Sequence, residues 1–240
     1  MSEDASLASF PAGSLGVVIG ASGAIGGALQ ARLRSVFGAS HVVGFSRSGI
    51  PPLDLTAEES IAGAAHAIRN LDSPPRLIIV ATGFLHGDGA MPEKSWRQLD
   101  AQHLSKSFAL NAIGPALLMK HFLPLLPRVG KAVFATLSAR VGSMGDNHLG
   151  GWYGYRASKA ALNQFVRTAA LELGRSAPEA VCVAMHPGTV DSGLSAPFAK
   201  HGLEIRTPAV AAENLLSVID RLVPADSGNF LDYRGERVAW

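Results

Sequence analysis

Five short runs in this chain, at residues 15–20, 41–45, 76–81, 131–137 and 180–186, are apolar at nearly every position rather than at every second one. A strand with one face in water alternates apolar and polar residues, whereas a strand covered on both faces does not. Between the runs lie stretches whose apolar residues recur at helical spacing, at 24–37, 57–71, 95–126, 155–173 and 208–222. Helices alternating with doubly covered strands predict a parallel sheet with helices on both faces. Right-handed crossovers then wind it in both directions. The expected fold class is α/β, a Rossmann-type doubly wound parallel sheet whose ligand site lies at the carboxyl ends of the strands. Gly38 closes the first helix, and Gly114-Pro115 interrupts or kinks the third. A short extended piece near Leu53 and a last strand at 229–232 complete the pattern, and residues 1–13 read as a loose tail.

No internal repeat or linker divides the 240 residues, and 48% hydrophobic content with 17% charge fits one soluble domain over 1–240. The net charge is +2 with Lys and Arg spread along the chain, so neither a nucleic-acid nor a membrane surface is expected. No apolar run reaches the ~18 residues of a membrane span, and Met1-Ser2-Glu3-Asp4 is acidic, unlike the start of a signal peptide. The single cysteine, Cys182, excludes an internal disulfide and reads as a buried strand residue; cytoplasm is the expected compartment.

Gly20-Ala21-Ser22-Gly23-Ala24-Ile25-Gly26 joins the first strand to the first helix. Glycines there permit a tight turn, close approach of the backbone to a pyrophosphate, and close packing of helix on strand. The end of the second strand chooses between the two nicotinamide dinucleotides, because an acidic residue there would hold a free ribose hydroxyl. Instead the chain places Ser46, Arg47 and Ser48 at that point, a set that suits a 2′-phosphate. NADP(H) is therefore expected over NAD(H). Tyr155 and Lys159 stand one helical turn apart on one face. A phenol titrates near ~10, and an adjacent ammonium should pull it down toward the range of a general acid or base.

Together these residues resemble the short-chain dehydrogenase/reductase family over nearly the whole chain. Asp54 in Leu53-Asp54-Leu55 matches its adenine-contacting aspartate, and Ala81-Thr82-Gly83 replaces its Asn-Ala-Gly turn. Asn111 matches the helix asparagine that holds a relay water, and Tyr155 with Lys159 matches the catalytic pair. The segment Pro187-Gly188-Thr189-Val190-Asp191-Ser192 matches the clasp on the nicotinamide carboxamide, with Ser192 where threonine is usual. The glycine-rich loop from Gly142 through Trp152-Tyr153 and the ending from Gly228 to Trp240 are similar to the branch holding the C-factor signalling protein and the sniffer-type carbonyl reductases. The resemblance also implies a homodimer or homotetramer through the long central helices.

The chain departs from that pattern in three places. Its glycines are spaced at 20, 23 and 26, as in the extended branch of the family; only a handful of residues separate Phe45 from the extended piece at Leu53, which stands for the family's third strand, so the helix usual between them is missing or shrunken; and the family's catalytic serine falls on Ala139. Ser138 precedes that position and serves only if the strand end twists or bulges, since neighbours on a strand face opposite ways. Ser143, in the loop past Gly142, is the other candidate, and neither is the third possibility. The expected activity is NADP(H)-dependent reduction of a ketone or aldehyde with Tyr155 as general acid, acting on a small carbonyl or alcohol substrate. The alternatives are a cofactor-binding signalling or regulatory protein with marginal turnover, favoured by Ala139, and a sugar-nucleotide epimerase, suggested by the glycine spacing. His86 and Asp88 read as a solvated loop, His186 as structural, and Trp152-Tyr153 as pocket wall or packing. Histidines 121, 148 and 201 lack metal-ligand spacing, so no metal is expected. The loops from Asp191 to Arg206 and around His86 are expected to select the substrate.

Overall fold

The computed structural model describes residues 6–87, 89–198 and 204–240. Asp88, His201 and the 199–203 part of the expected substrate loop therefore lie outside the described residues, as do residues 1–5 of the expected tail.

Strands β1 (Leu15–Ile19), β2 (Val42–Phe45), β3 (Pro75–Val80), β4 (Ala132–Leu137), β5 (Ala180–His186) and, later in the chain, β8 (Phe230–Asp232) form a six-stranded sheet in the order β2-β1-β3-β4-β5-β8. Every neighbouring pair is parallel. The doubly covered runs behave as expected: Val17, Ile19, Ile78, Val80, Phe134, Cys182 and Ala184 fill the core on one face, and Val18, Leu77, Ile79, Val133, Val181 and Val183 fill the other. Helices α1 (Ala24–Phe37) and α6 (Pro208–Arg221) cover the second face; α2 (Glu58–Arg69), α4 (Gly114–Phe122) and α5 (Tyr153–Ser176) cover the first. From β1 the chain winds outward to β2 and then returns to the other side of β1 as β3. The carboxyl ends of β1 and β3 thus flank the point where the winding reverses, where a doubly wound sheet opens a crevice. A two-stranded piece, β6 (Thr189–Val190) with β7 (Ile205–Arg206), stands outside the main sheet.

Several local expectations are corrected. The extended piece near Leu53 forms no strand, and the helix expected over 95–126 is composite. It comprises a short turn at Trp96–Gln98, α3 (Ala101–Phe108), a π-helical turn at Ala109–Ile113 and then α4. The irregularity therefore directly precedes Gly114-Pro115, where a proline without an N–H interrupts the helical ladder of the turn before it. The continuous helical stretch Ala101–Leu125 has the length and apolar composition of a membrane span, which no uninterrupted apolar run in the sequence suggested. Its Ala112, Leu118 and Phe122 are fully buried within this fold.

The described part of the expected loose tail is docked. Leu7 and Phe10 join the core of the α1/α6 face, with Phe10 edge-on to Phe37 at 6.0 Å between ring centres. Ser9 N donates to Asp220 Oδ1 at 3.0 Å, and Lys131 Nζ lies 5.0 Å from the Phe10 ring centre. Two apolar side chains among small polar ones suffice to tie the segment across the ends of α1 and α6.

Candidate active site

The turn after β1 is fixed by contacts that exclude side chains. Gly20 has φ +90°, and a Cβ there would lie 2.8 Å from the Ala81 carbonyl oxygen. A Cβ on Gly26 would lie 2.1 Å from the Gly20 oxygen, so only glycine lets α1 pack this closely against the turn. Gly23 is less constrained, its nearest atom being the Gly20 oxygen at 3.3 Å. As N-cap of α1 it contributes no side-chain cap, and the first turn holds no acidic residue. The leading N–H groups and the positive end of the helix dipole are left for an anionic group.

A cleft of about 510 Å³ runs from this turn along the ends of β1, β2 and β3. Gly20, Ser22, Gly23, Ser46, Arg47, Asp54 and Leu55 line it, together with Ala81, Thr82 and Gly83. An adjoining cavity of about 360 Å³ shares Gly23, Ala81, Thr82 and Gly83 and adds Ala24, Ile25, Ser138, Tyr155, Lys159, Pro187 and Ser192. The two form one groove that gathers most of the residues expected around a dinucleotide. Gly26 lies beneath the turn, while Ser48, Gly188 and Val190 are not among the lining residues. Gly188, at φ +80°, instead lets Arg206 and Tyr233 approach, since a Cβ there would meet Arg206 Nη1 at 2.8 Å. Asp54 Oδ1 accepts hydrogen bonds from Thr56 N at 2.8 Å and Thr56 Oγ1 at 2.7 Å. Those bonds, with a smaller contribution from Arg47, hold its carboxyl below the usual carboxylate range. Thr82 Oγ1 is buried in the groove without a hydrogen-bond partner in the protein, a polar atom suited to meet a ligand.

On α5, Tyr155, Ser158, Lys159, Leu162 and Val166 form the buried face. Lys159 Nζ donates to the Leu137 carbonyl at 2.8 Å and lies 5.9 Å from the Tyr155 ring centre. Gly142 permits this packing, as a Cβ there would come within 2.8 Å of the Lys159 Cβ. Burial pushes the Tyr155 phenol up to about 12 and the Lys159 ammonium down to about 7. The expected lowering of the phenol by its neighbour is therefore reversed: desolvation dominates, and one carbonyl acceptor does not restore full charge to the lysine.

Asn111 sits in the π-helical turn, completely buried. Its Oδ1 accepts from Phe84 N at 2.7 Å, and its Nδ2 donates to Phe84 O at 2.7 Å and to Ser158 Oγ at 3.1 Å. Both amide hydrogens are committed to protein partners, so the side chain clamps the segment after β3 to α5. The two serines near Ala139 are placed differently. Ser138 lines the cavity and its Oγ donates to Asn163 Oδ1 at 2.7 Å. Ser143 is buried, accepts from Asp146 N at 3.1 Å and does not line the cavity.

One residue beside the site, Glu93, carried no sequence signal. Glu93 is buried, its Oε2 accepts from Gly154 N at 3.1 Å and its carbonyl accepts from Trp152 N. It thereby caps the N-terminus of α5 from 61 residues away. Trp152 itself holds φ +54°, a left-handed conformation rare for a bulky residue. His86 and Phe198 meet beside it, with His86 Nε2 3.0 Å from Gly193 O. His186, expected to be structural, lies at the end of β5, where burial pushes it down to about 4. Cys182 is fully buried, as expected, with its thiol pushed up to about 12. Among the described residues no group of three or more His, Cys, Asp or Glu could hold a metal.

A doubly wound sheet with a glycine turn at its crevice and a tyrosine and lysine one helical turn apart defines a nucleotide-dependent oxidoreductase of one α/β domain. Residues 36–214 match the family model described as enoyl-(acyl carrier protein) reductase, and the chain belongs to the short-chain dehydrogenase/reductase family. It is 38% identical over 144 residues to the C-signal protein of Myxococcus xanthus, covering 59% of this chain and 81% of that one. It is 33% identical over 190 residues to 1-hydroxy-2-glutathionyl-2-methyl-3-butene dehydrogenase of a Rhodococcus strain, 79% of each chain. The NADPH-bound carbonyl reductase from chicken fatty liver superposes with a TM-score of 0.80 at 26% identity, covering 96% of this chain and all of that one.

Burial of Lys159 has a measurable consequence. In the folded protein it titrates near 7 against 10.5 ordinarily, so between those values the unfolded chain holds the extra proton. Stability then rises with pH through that window. Lys159→Met, which removes the buried charge, should raise the Tm clearly at pH 6 and much less at pH 10. Equal gains at both, followed by circular dichroism, would show that the ammonium is not desolvated.

Proposed function

We propose that the chain is an NADP(H)-dependent reductase of ketones or aldehydes. The observation that carries this reading is the position of Tyr155 and Lys159 in a cavity continuous with the glycine-turn cleft. The residues present fit the dinucleotide: uncapped N–H groups of α1 for the pyrophosphate, glycines at 20 and 26 that side chains cannot replace, and the orphan Thr82 hydroxyl. Arg47 and Ser46 line the far end of the cleft, where they suit a 2′-phosphate. Likeness to an NADPH-bound carbonyl reductase supports the same choice.

When bound, NADPH supplies the hydride. Lys159, turned from the Leu137 carbonyl, holds ribose hydroxyls and recovers its charge from those acceptors. Tyr155, protonated at neutral pH because burial raises it, donates its proton to the carbonyl oxygen as the carbon is reduced. Ser138, released from Asn163, supplies the second donor to that oxygen. Asn111 keeps the segment after β3 and the face of α5 at fixed separation while this happens. Exposed Phe165 and Leu171 on α5 support assembly as a homodimer or homotetramer through the central helices. A second reading, a signalling protein with marginal turnover, is favoured by Ala139 and by the likeness to C-signal.

NADPH should bind at least tenfold tighter than NADH, about 1.4 kcal/mol, with Arg47→Ala abolishing most of the difference. Fluorescence titration measures both, and equal wild-type affinities would remove the NADP(H) assignment.

Tyr155→Phe should lower turnover by about 100-fold or more while leaving NADPH affinity unchanged. Near-normal turnover in this variant, in stopped-flow or steady-state assays, would sink the proton-donor role and the reductase mechanism with it.

Ser138→Ala should cost turnover on the order of tenfold to a hundredfold, whereas Ser143→Ala should change it little. Ala139→Ser, on the same substrate, should add little if Ser138 already serves. A large gain from Ala139→Ser with no loss from Ser138→Ala would mean that the hydroxyl is missing, and would favour the signalling reading.

A further inference from the structure

The mouth of the site carries an aromatic chain that the proton and hydride chemistry does not use. Phe198, on the turn Ala196–Phe198, stands edge-on to Trp152 at 5.0 Å between ring centres and 64° between planes. On its other side it meets His86 at 5.6 Å and 64°. Trp152 in turn meets Tyr155 at 6.3 Å and 67°. Three separate segments therefore converge as a file of rings that ends on the proposed proton donor: the loop after β3, the segment after β6 and the start of α5. His86, Trp152 and Phe198 are only partly buried, so ring surface remains accessible beside Tyr155.

The backbone holds Trp152 in place at a cost. Its φ of +54° is unfavourable for a bulky side chain. Glu93 holds it there, accepting from Trp152 N through its carbonyl and from Gly154 N through its carboxylate. A simple helix start would need neither the strain nor a buried carboxylate drawn from a distant loop. The adjoining cavity is lined by Leu137, Pro187 and Leu194 beside the hydroxyls of Thr82, Ser138 and Ser192, and Lys159 is the charged side chain among its described lining residues. Nothing described in that cavity is matched to an anionic substrate once Lys159 holds the cofactor ribose.

We propose that Trp152 and Phe198, backed by His86, form a seat for a planar ring, so that the preferred substrates are carbonyl compounds bearing an aromatic ring close to the carbonyl carbon. This rests on the reductase reading. Edge-to-face contacts orient a further ring and exclude a puckered one of similar size, because only a flat π-face meets the positive ring edges at close range.

The test compares 1-phenylpropan-2-one with 1-cyclohexylpropan-2-one, in which a methylene separates ring from carbonyl and keeps electrophilicity alike. Wild-type kcat/KM should favour the phenyl ketone by about fivefold or more. Phe198→Leu and Trp152→Leu should each bring the ratio close to one. Phe198 lies on a short surface turn, so its variant reports on the seat even where Trp152→Leu disturbs the helix start. The two corresponding alcohols, titrated calorimetrically into the NADPH complex, read binding without turnover. Phenyl preference in binding with no reduction of either ketone would sink the reductase reading and keep the seat. Reduction of both ketones at equal kcat/KM, or a preference that survives in both variants, overturns the seat and leaves the reductase reading standing. No turnover and no binding preference would reject both.

Discussion

The close approach of α1 to the turn after β1 sets the geometry of everything at the carboxyl edge of the sheet. Gly20 is pinned between neighbours: its N–H donates to Phe45 O at 2.8 Å, and a Cβ on it would lie 2.8 Å from Ala81 O. The ends of β1, β2 and β3 therefore meet at one residue. Gly26 then lets the helix settle onto that residue, with 2.1 Å between a notional Cβ and the Gly20 oxygen. Glycine inside a helix costs about 1 kcal/mol relative to alanine, and α1 carries two near its start, Gly26 and Gly27. Helix stability is given up there to aim the N-terminus at the cleft. A side chain at 26 would lift the helix and turn its leading N–H groups away from the anion they are placed to meet.

Desolvation governs the other half of the site. The pairing of Tyr155 with Lys159 suggests mutual charge stabilisation, yet both sit on the buried face of α5 and both are pushed toward neutrality. A phenol raised to about 12 stays protonated throughout the physiological range. A lysine lowered to about 7 regains its charge wherever acceptors gather around it. The same burial makes Asn111 a structural clamp. With both amide hydrogens spent on Phe84 and Ser158, it holds the segment after β3 against α5.

The features legible in the sequence are those set by period and by local backbone geometry. Continuous apolar runs could only be doubly covered strands, and their alternate residues divide between the two faces accordingly. The glycine turn and the Tyr155–Lys159 spacing are local, and both stand where expected. Contacts between distant segments were not legible. Leu7 and Phe10 are two apolar residues in a polar stretch until α1 and α6 present a surface to them. Glu93 is an ordinary loop acid until α5 brings Gly154 to it. Spacing alone does not separate Ser138 from Ser143, because the direction of each hydroxyl depends on partners elsewhere, Asn163 on α5 for the one and the Asp146 N–H for the other.

The cofactor half and the substrate half of this groove are built under different constraints. At the cofactor end, backbone atoms do the shaping, and a Cβ at Gly20 or Gly26 collides with main chain that cannot move. Such a surface tolerates little change without losing the fold. Around Tyr155, the cavity wall is made instead by side chains, Leu137, Ser138, Pro187, Ser192 and Leu194 among them. Ala139 belongs to that second regime. A hydroxyl lost there can be recovered from the neighbouring strand residue because the cavity wall already includes Ser138. Proteins that share this sheet and glycine turn can therefore diverge in substrate, and even in whether they turn over at all, while their nucleotide cleft remains the same. That asymmetry follows from which atoms, main chain or side chain, make each wall.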